Sequence, residues 1–448
     1  MAMGRQGDRQ GDLLVSWSEL PRSPGHVFYD RLQEVLVEGG FDIFAEETCK
    51  AYYAVKNGAP SVPPGRYFRM HLVGYFEGID SERGLEWRCS DSLSLRDFLR
   101  LESRQRVPDH SWLSRTRARL PHEVHAAVFD WVLALIAEAG LVKGERIGVD
   151  ASTMEANAAL RTIVRRDSGE GYREMLERLA EESGIETPTA EDLVRLDRAR
   201  KGKKLSNQDW VSSSDPEAKI AKMKDGTTHL AYKPEHAVDL DTGAIVAAEL
   251  YPADEGDTTT LAKTLAAAAE RLEAVGLGPT DEAPAECVTD KGYHSRAVLK
   301  ALDDGPWKTR IAEPKAKGLA RWSGDEAAHR AVINNRNRLL SGVAKQAFKL
   351  RAEIVERSFA HCLDRGGMRR TWLRGRENVH KRYLLHVAGH NLSLLMRQLI
   401  GAGTPKEAVA RGYIAIFVIP TPDGAFLVTL LVLPSAQLGF AATILPRE

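Results

Sequence analysis

The chain has 448 residues, of which 43% are hydrophobic and 28% are charged. This composition is that of an ordinary globular protein with material for a large core, and it excludes wholesale disorder. The four cysteines lie far apart without a C-x-x-C pair, which excludes a cysteine zinc cluster and a disulfide framework. Such cysteine usage is typical of a reducing cytoplasm. Residues 1–25 have no apolar run behind their arginines, so we expect a flexible N-terminus that is not a secretory signal.

The net charge is zero, but the charges are segregated along the chain. Residues 1–295 carry 37 basic and 50 acidic side chains, a net charge of −13. Residues 296–400 carry 22 basic and 9 acidic side chains, a net charge of +13. This pattern indicates that residues 296–400 face a polyanion, although a solvated basic helical surface would have the same composition.

Residues 26–142 are predicted to be almost entirely helical, because apolar side chains recur at helical spacing and the breaks carry Gly or Pro. Asp109 or Ser111 is a suitable cap for the helix that contains Arg115 and Arg117. Short helices with one basic member fit a helix-turn-helix DNA reader, but spacing alone favours a plain helical bundle. The helices are expected at 26–40, 41–55, 66–79, 92–102, 110–120 and 122–140.

From Glu145 onwards the pattern changes to strands alternating with helices. A hairpin is predicted around Asp241-Thr242-Gly243, and a helix follows it, with Thr258 or Asp257 near its cap. Residues 160–225 are polar and resemble an insertion or a mobile arm. Strands are expected within 146–152, 229–241, 244–254, 285–295 and 307–315, and helices at 257–276 and 327–362.

This element order predicts an α/β fold with a mixed five-stranded sheet and helices on both faces. It resembles a ribonuclease-H-like core, although other α/β folds share the pattern. We therefore expect an all-helical N-terminal domain at 26–142 and an α/β domain at 143–400.

Two acidic residues are predicted at strand ends, Asp150 in IGVDAST and Asp290 in VTDKGYHS. Side chains at the carboxyl ends of strands project into the crevice where α/β proteins bind ligands. Carboxylates are the ligands of hard cations such as Mg²⁺, and two such ions can clamp a phosphodiester during displacement. Spacing alone does not decide whether Glu353 or Glu356 is the third acid, and Glu377 is a less favoured third candidate.

Two other sequence patterns are weaker candidates for a functional site. His386 and His390 lie four residues apart, a spacing that suits zinc, but without an H-E-x-x-H glutamate we favour a satisfied helix pair. Cys287 is expected to be a buried structural thiol. Phosphate-binding and dinucleotide-binding glycine loops are absent from the sequence.

The sequence resembles DDE-type bacterial insertion-sequence transposases over roughly residues 20–400. It is similar to the group called insertion sequence eleven-eighty-two, within the broader insertion-sequence four/five-like transposases. The segments that carry the resemblance are 63–99, 107–120, 148–170, 215–246, 256–261, 288–295 and 355–382.

The resemblance implies a DNA transposase that cuts transposon ends and joins the 3′ hydroxyl to target DNA, using Mg²⁺ or Mn²⁺. It implies that the helical domain at 26–142 binds DNA and that the domain at 143–400 is catalytic. It assigns the catalytic and metal-binding acids to Asp150, Asp290 and Glu356. It implies double-stranded DNA, both inverted repeats and target, as partner, a homodimer and a cytoplasmic location without a membrane. A nuclease without strand transfer and a non-catalytic DNA-binding descendant are the alternatives.

The candidate DNA-binding residues come from several sources. The helical domain contributes Arg115 and Arg117, and the family's basic positions after Glu356 fall on Arg357, Arg369, Arg370 and Lys381. Arg374 lies beside Trp372, which either stacks on an unpaired base or belongs to the core.

The chain departs from the family at two places. Leu363 stands where some relatives carry the lysine of a tyrosine–arginine–glutamate–lysine signature, so the resemblance does not imply a hairpin-forming cleavage route. The tail, residues 401–448, is strongly apolar at 412–434. Pro420, Pro422 and Gly424 interrupt this run, so we expect a two-stranded hairpin around Pro422-Asp423-Gly424 and no membrane helix.

Overall fold

The computed structural model describes residues 26–54, 61–102, 104–200, 206–223, 226–315, 324–411, 414–420, 426–432 and 439–444. The predicted flexible N-terminus at 1–25, the lysines at 201–205 and the predicted turn at 422–424 lie outside the described residues.

The described part of residues 26–138 is helical, as predicted. Its helices are α1 (His26–Glu38), α2 (Phe41–Cys49), α3 (Pro64–Glu77), α4 (Glu82–Ser90), α5 (Leu93–Phe98), α6 (His110–Arg119) and α7 (His122–Glu138). Asp109 caps α6 by accepting a hydrogen bond from the Trp112 backbone at 2.7 Å, which confirms one of the two predicted caps. The prediction missed α4, because this helix buries only Leu85 and Cys89 and its sequence shows almost no apolar periodicity.

A mixed sheet follows in the chain. Its main strands are β1 (Arg146–Ala151), β6 (Thr228–Asp239), β7 (Ile245–Pro252), β8 (Ala285–Thr289) and β9 (Trp307–Ile311). They lie in the order β7, β6, β1, β8, β9. Strand β6 is antiparallel to both β7 and β1, whereas β1, β8 and β9 are parallel. The predicted hairpin and the mixed sheet are therefore confirmed, but the sheet has seven strands instead of the five predicted, because two short strands also pair with β6.

The segment predicted as an insertion or arm contains regular elements. It holds β3 (Ile163–Arg165), α8 (Tyr172–Glu182), α9 (Ala190–Ala199), β4 (Trp210–Ser212) and β5 (Lys219–Lys222). Strand β5 and the short strand β2 (Met154–Glu155) both pair with the first residues of β6. Strands β3 and β4 pair with each other.

The remaining helices cover the sheet and connect it to the N-terminal helices. They are α10 (Asp257–Ala274), α11 (Arg296–Asp303), α12 (Glu326–Leu339), α13 (Gly342–Phe359), α14 (Arg376–Ile400) and α15 (Pro405–Arg411). Helix α10 packs on β6 and β7, and α13 packs on β1, β6 and β8. Helix α14 contacts β7 on one side and α3 and α7 on another.

One helix prediction needs correction. The long helix predicted at 327–362 is broken between α12 and α13, where Ser341 precedes the new helix, and it ends in a π-helical turn at Ala360–Arg365. Helix α10 begins at Asp257, directly after its cap Gly256, so Asp257 and Thr258 lie near the cap as predicted. The Asp257 carboxylate binds the Lys233 ammonium at 2.7 Å.

The tail contains β10 (Ile414–Pro420), β11 (Phe426–Val432) and β12 (Gly439–Ile444), which form an antiparallel sheet in that order. The predicted pairing of two strands is confirmed, and the third strand was not predicted. Within the described residues, no single helix is long and apolar enough to cross a bilayer. Only α6 and α7 together reach the required length and composition, and they are bent by 97°.

Candidate active site

The two strand-end aspartates lie at the same edge of the sheet. Strands β1 and β8 are parallel, and their register pairs Gly148 with Val288. Asp150 and Asp290 each lie two residues beyond this pair, at the carboxyl ends of neighbouring strands. The two predicted acids therefore come together in the fold, in the place where α/β proteins bind ligands.

The Asp150 carboxyl is held in an environment that disfavours its charge. Burial raises its pKa, and the negative charge of Asp290 adds to this rise. The Arg351 guanidinium of α13, 2.7 Å away, opposes the shift, as does a hydrogen bond from the Ala151 backbone at 2.9 Å. A positive charge at this edge is therefore favourable, and Arg351 supplies one. The sequence prediction did not identify Arg351.

The Asp290 carboxylate is fixed by its own turn. Its Oδ1 accepts a hydrogen bond from the Gly292 backbone at 2.8 Å and caps the short helical turn Lys291–Tyr293. A methyl group at Gly292 would lie 2.7 Å from Asp257 Oδ2 and 3.0 Å from Asp290 Oδ1. These two carboxylates therefore flank one glycine, and Asp257 is a further acid beside the aspartate pair that sequence reasoning missed.

A buried polar network holds Asp257 from behind. The Lys233 ammonium lies 2.7 Å from Asp257 Oδ1 and 2.9 Å from Thr260 Oγ1. Glu235 is fully buried and accepts hydrogen bonds from Thr260, Thr264 and Tyr293 at 2.7, 2.6 and 3.0 Å. Burial raises the pKa of Glu235, and the two threonine hydroxyls counteract that rise. The sequence feature that could have indicated this network is the pair of charged residues Lys233 and Glu235 inside the long strand β6.

The third predicted acid, Glu356, lies on α13 with its side chain exposed. Glu353 is also exposed, and its carboxylate binds Arg357 at 2.6 Å. Glu377 pairs with Lys381 at 2.6 Å on α14. Among the described residues, no group of three His, Cys, Asp or Glu side chains is close enough to hold a metal ion. The convergence of Glu356 with the two aspartates therefore stays a prediction.

Cys287 is buried, as predicted. His386 and His390 are also buried, but the Nδ1 atom of each has no hydrogen-bond partner among the described residues, so the predicted satisfied pair is satisfied only in part. Burial lowers the pKa of His386 and His390, the latter to about 3. His390 Nε2 lies 3.2 Å from the Gly243 carbonyl. Burial also raises the pKa of the Cys287 thiol to about 12, so it is not a thiolate at neutral pH.

Two segments of the chain match family models. Residues 18–119 match the model described as "Transposase domain (DUF772)". Residues 203–392 match the model described as "Transposase DDE domain". These matches support a DDE-type transposase. Asp290 and Glu356 lie within the second match, whereas Asp150 lies between the two. No curated protein and no solved structure gives a significant match.

Two of the candidate DNA-binding residues are not on the protein surface. Arg117 is 8% exposed and forms an ion pair with Glu82. Lys381 is 4% exposed and binds Glu377 and the Arg117 carbonyl. Their charges are satisfied inside the protein, so we remove both from the predicted DNA surface. Arg115 and Arg357 remain exposed.

Three exposed arginines border the segment that follows Asp150. Arg369 Nη1 lies 3.1 Å from Ser152 Oγ, and its guanidinium also forms two hydrogen bonds with Asp364. Arg370 lies 3.7 Å from Glu155, and Arg374 donates a hydrogen bond to the Asn157 carbonyl at 3.3 Å. This basic strip is therefore adjacent to the aspartate edge.

Trp372, in the middle of the strip, is not a core residue. Its side chain is 48% exposed, so the interpretation as buried core is wrong. The Arg370 guanidinium lies 5.1 Å from the ring centroid, and the indole N–H donates to Asp80 at 2.8 Å. These contacts orient the ring and leave part of it open to solvent.

Proposed function

We propose that the protein cuts DNA phosphodiesters at the ends of an insertion sequence and joins the freed 3′ hydroxyl to target DNA. The observation that carries this proposal is the juxtaposition of Asp150 and Asp290 at the ends of parallel neighbours β1 and β8. Membership of the group called insertion sequence eleven-eighty-two, and action as a homodimer on paired element ends, belong to the same proposal.

We propose a ribonuclease-H-like core at 143–400 and a helical DNA-binding domain at 26–142. The strand order β7, β6, β1, β8, β9 supports the first part, because an antiparallel hairpin is followed by parallel strands that return to β1. The helices α1 to α7 support the second part.

The aspartate edge fits a hard divalent cation. The donors are carboxylate oxygens, and the pKa of Asp150 is raised by burial and by Asp290, so a bound cation would offset both effects. Asp150 and Asp290, with Glu356, would hold Mg²⁺ or Mn²⁺, which when bound activates the attacking hydroxyl and stabilises the leaving oxygen.

The chain's own residues orient these carboxylates. The Gly292 backbone fixes one oxygen of Asp290, and Arg351 binds one oxygen of Asp150. Lys233 holds Asp257 against the same turn. Because these contacts come from β6, α13 and the turn after β8, the edge is held rigidly before substrate binds.

The direction of α13 supports Glu356 as the third acid. Val355 packs on Gly148 of β1, and Ser358 is hydrogen-bonded to His236 of β6 at 2.8 Å, so α13 crosses the strands. Ile354 faces the Gly243 turn, at the opposite end of β1 from Asp150. Glu356 follows two positions later, about 200° round the helix. Its side chain therefore leaves α13 on the side nearer Asp150.

A strand-transfer assay with element-end DNA and a target plasmid tests this proposal. We expect cut and joined products from the protein with Mg²⁺. We expect the Glu356→Gln variant to lose at least about 100-fold in cutting rate, because the third carboxylate is removed without a change in side-chain size. The Glu353→Gln variant is the matched control, and we expect it to keep most of its activity because Glu353 already pairs with Arg357.

The outcomes of this assay separate the alternatives. Cut product without joined product would indicate a nuclease, and bound DNA without any product would indicate a non-catalytic DNA-binding protein. Loss of activity in Glu353→Gln with activity retained in Glu356→Gln would move the third acid by about one helix turn and contradict the assignment.

The basic strip gives a second expected result. A duplex carries one negative charge per ~1.7 Å of axis, so neutralising arginines release counterions when they contact phosphates. We expect the double variant Arg369→Ala/Arg370→Ala to flatten the log–log salt dependence of duplex binding by about 0.9 for each lost contact. A fluorescence anisotropy titration at several salt concentrations measures this slope.

The paired control is Arg330→Ala, since Arg330 is 61% exposed on α12 and engaged with Asp303 and Asp304. An unchanged slope in the double variant would mean that Arg369 and Arg370 serve only their internal partners, Asp364 and Glu155. The positive charge would then hold elements of the protein together instead of holding DNA.

A further inference from the structure

A cavity of 320 Å³ lies at the end of the sheet away from the aspartates. The turn residues Thr242 and Gly243, between β6 and β7, form one wall. Strand β6 is antiparallel to β1, and Asp239 near this turn pairs with Ile147 at the start of β1. The cavity is therefore distinct from the candidate active site, although Arg357, one of the predicted DNA-binding residues, lines it.

The polar lining of the cavity is basic. Arg357 and Arg397 line it from α13 and α14, with side chains 54% and 40% exposed. His361 and His390 line its deeper part and are 8% and 4% exposed. The Nδ1 atoms of both histidines are buried without a hydrogen-bond partner among the described residues. The two flexible cations at the rim and the under-satisfied His361 imidazole below them can donate hydrogen bonds to an anion. The neutral His390 ring already donates its Nε2–H to the Gly243 carbonyl, so its Nδ1 atom is an acceptor and does not contribute to anion binding.

The electrostatics around His361 agree with this geometry. Its pKa is lowered to about 4, mainly by burial and also by the positive charges of Arg365, Arg397 and Arg357, while the negative charge of Glu407 opposes the shift. An anion in the cavity would offset these charges and allow His361 to bind a proton and donate it to the ligand.

Two carboxylates already form ion pairs with the arginines at the rim of the cavity, and a ligand would compete with these carboxylates. Glu353 binds Arg357 at 2.6 Å. Glu407 of α15 lies 3.3 Å from Arg397 and 3.6 Å from Arg365. Both pairs are exposed to solvent, where such ion pairs contribute little, so a ligand with more acceptor oxygens can displace them.

We propose that this cavity binds a phosphomonoester. A terminal phosphate offers three acceptor oxygens and up to two negative charges, which match two guanidinium groups better than a carboxylate does. The cavity is also lined by Leu141, Ile354 and Leu394, which suit an organic group attached to the phosphate. A volume of 320 Å³ admits a small ligand or a strand end and excludes a duplex.

Isothermal titration calorimetry on the full chain tests the proposal, with adenosine 5′-monophosphate as the probe and adenosine as the reference without phosphate. We expect binding of the monophosphate only. Arg397→Gln and Arg357→Gln should each weaken it about tenfold, the effect of one charge-assisted contact. Arg330 is a surface arginine outside the cavity lining, so Arg330→Gln should leave the affinity for the monophosphate unchanged.

A variant that is expected to bind the monophosphate more tightly provides a second test. Glu407→Gln keeps an oxygen for the Gly403 backbone, which it now binds at 2.9 Å, but removes the competing charge. We expect it to bind the monophosphate severalfold more tightly, whereas Asp304→Asn at the surface should not. The proposal is overturned if the monophosphate does not bind, or if Arg397→Gln and Arg330→Gln behave alike.

A second arm identifies the source of the phosphate. Trithymidylate with a 5′-phosphate is compared with the same oligonucleotide carrying a 5′-hydroxyl. Tighter binding of the phosphorylated strand, lost in Arg397→Gln, would indicate a DNA strand end as ligand. Binding of the mononucleotide alone would indicate a free metabolite.

Discussion

Asp290→Asn and Asp150→Asn should each abolish DNA cutting while duplex binding is retained. Both substitutions keep the size of the side chain and remove the negative charge at the ends of β8 and β1. Divalent cations stabilise the transition state of phosphodiester displacement by several kcal/mol, so loss of a ligand is expected to cost about 10³-fold in rate. Gel-based cleavage of labelled element-end DNA, with anisotropy for binding, measures both properties.

The two variants should differ in stability, which provides an internal control. Asn at position 290 still offers an oxygen to the Gly292 backbone, so its melting temperature should stay near that of the parent protein. Asn at position 150 leaves Arg351, only 13% exposed, without its anionic partner, so this variant should melt at a lower temperature. Asp304→Asn, at an exposed site, is the control for both. Cutting that persists in Asp150→Asn would show that another acid, with Asp257 first among them, takes its place.

The acids at the strand ends were predictable because the approach to each is apolar. Ile147 and Val149 are fully buried before Asp150, and Cys287 and Val288 are fully buried shortly before Asp290. A charged residue that ends such a run must face the crevice or solvent. The hairpin was predictable for a similar reason, since a Gly-containing turn separates two alternating segments.

The partners of these acids were not predictable, because they are brought together by packing between distant segments. Asp257 reaches Asp290 only because α10 lies on β6 and β7, and Arg351 reaches Asp150 only because α13 crosses the sheet. The spacing of these residues in the sequence does not indicate either contact. Burial of Arg117 and Lys381 was hidden in the same way, since a basic side chain on a helix is normally exposed.

The chain's two halves share one core, and a single glycine tests this arrangement. Gly389 of α14 faces Tyr75 of α3, and a methyl group at Gly389 would lie 2.6 Å from Tyr75 Cδ1 and 2.7 Å from Cγ. Tyr75 is 4% exposed, so its ring has little room to move. Helix α14 also contacts β7, so this contact joins the N-terminal helices to the sheet.

We expect Gly389→Ala to lower the free energy of unfolding by about 1–3 kcal/mol, the usual cost of overpacking a core. Helix propensity acts in the opposite direction, since alanine is favoured over glycine by about 1 kcal/mol in a helix interior. The control is Gly342→Ala at the start of α13, where a methyl group meets nothing within 4 Å and only propensity acts. Urea denaturation followed by circular dichroism measures both variants. If Gly389→Ala is as stable as Gly342→Ala, the close approach of α3 and α14 is wrong. A loss confined to one of two separate transitions would mean that the helices and the sheet unfold independently, because a shared core requires both to lose stability together.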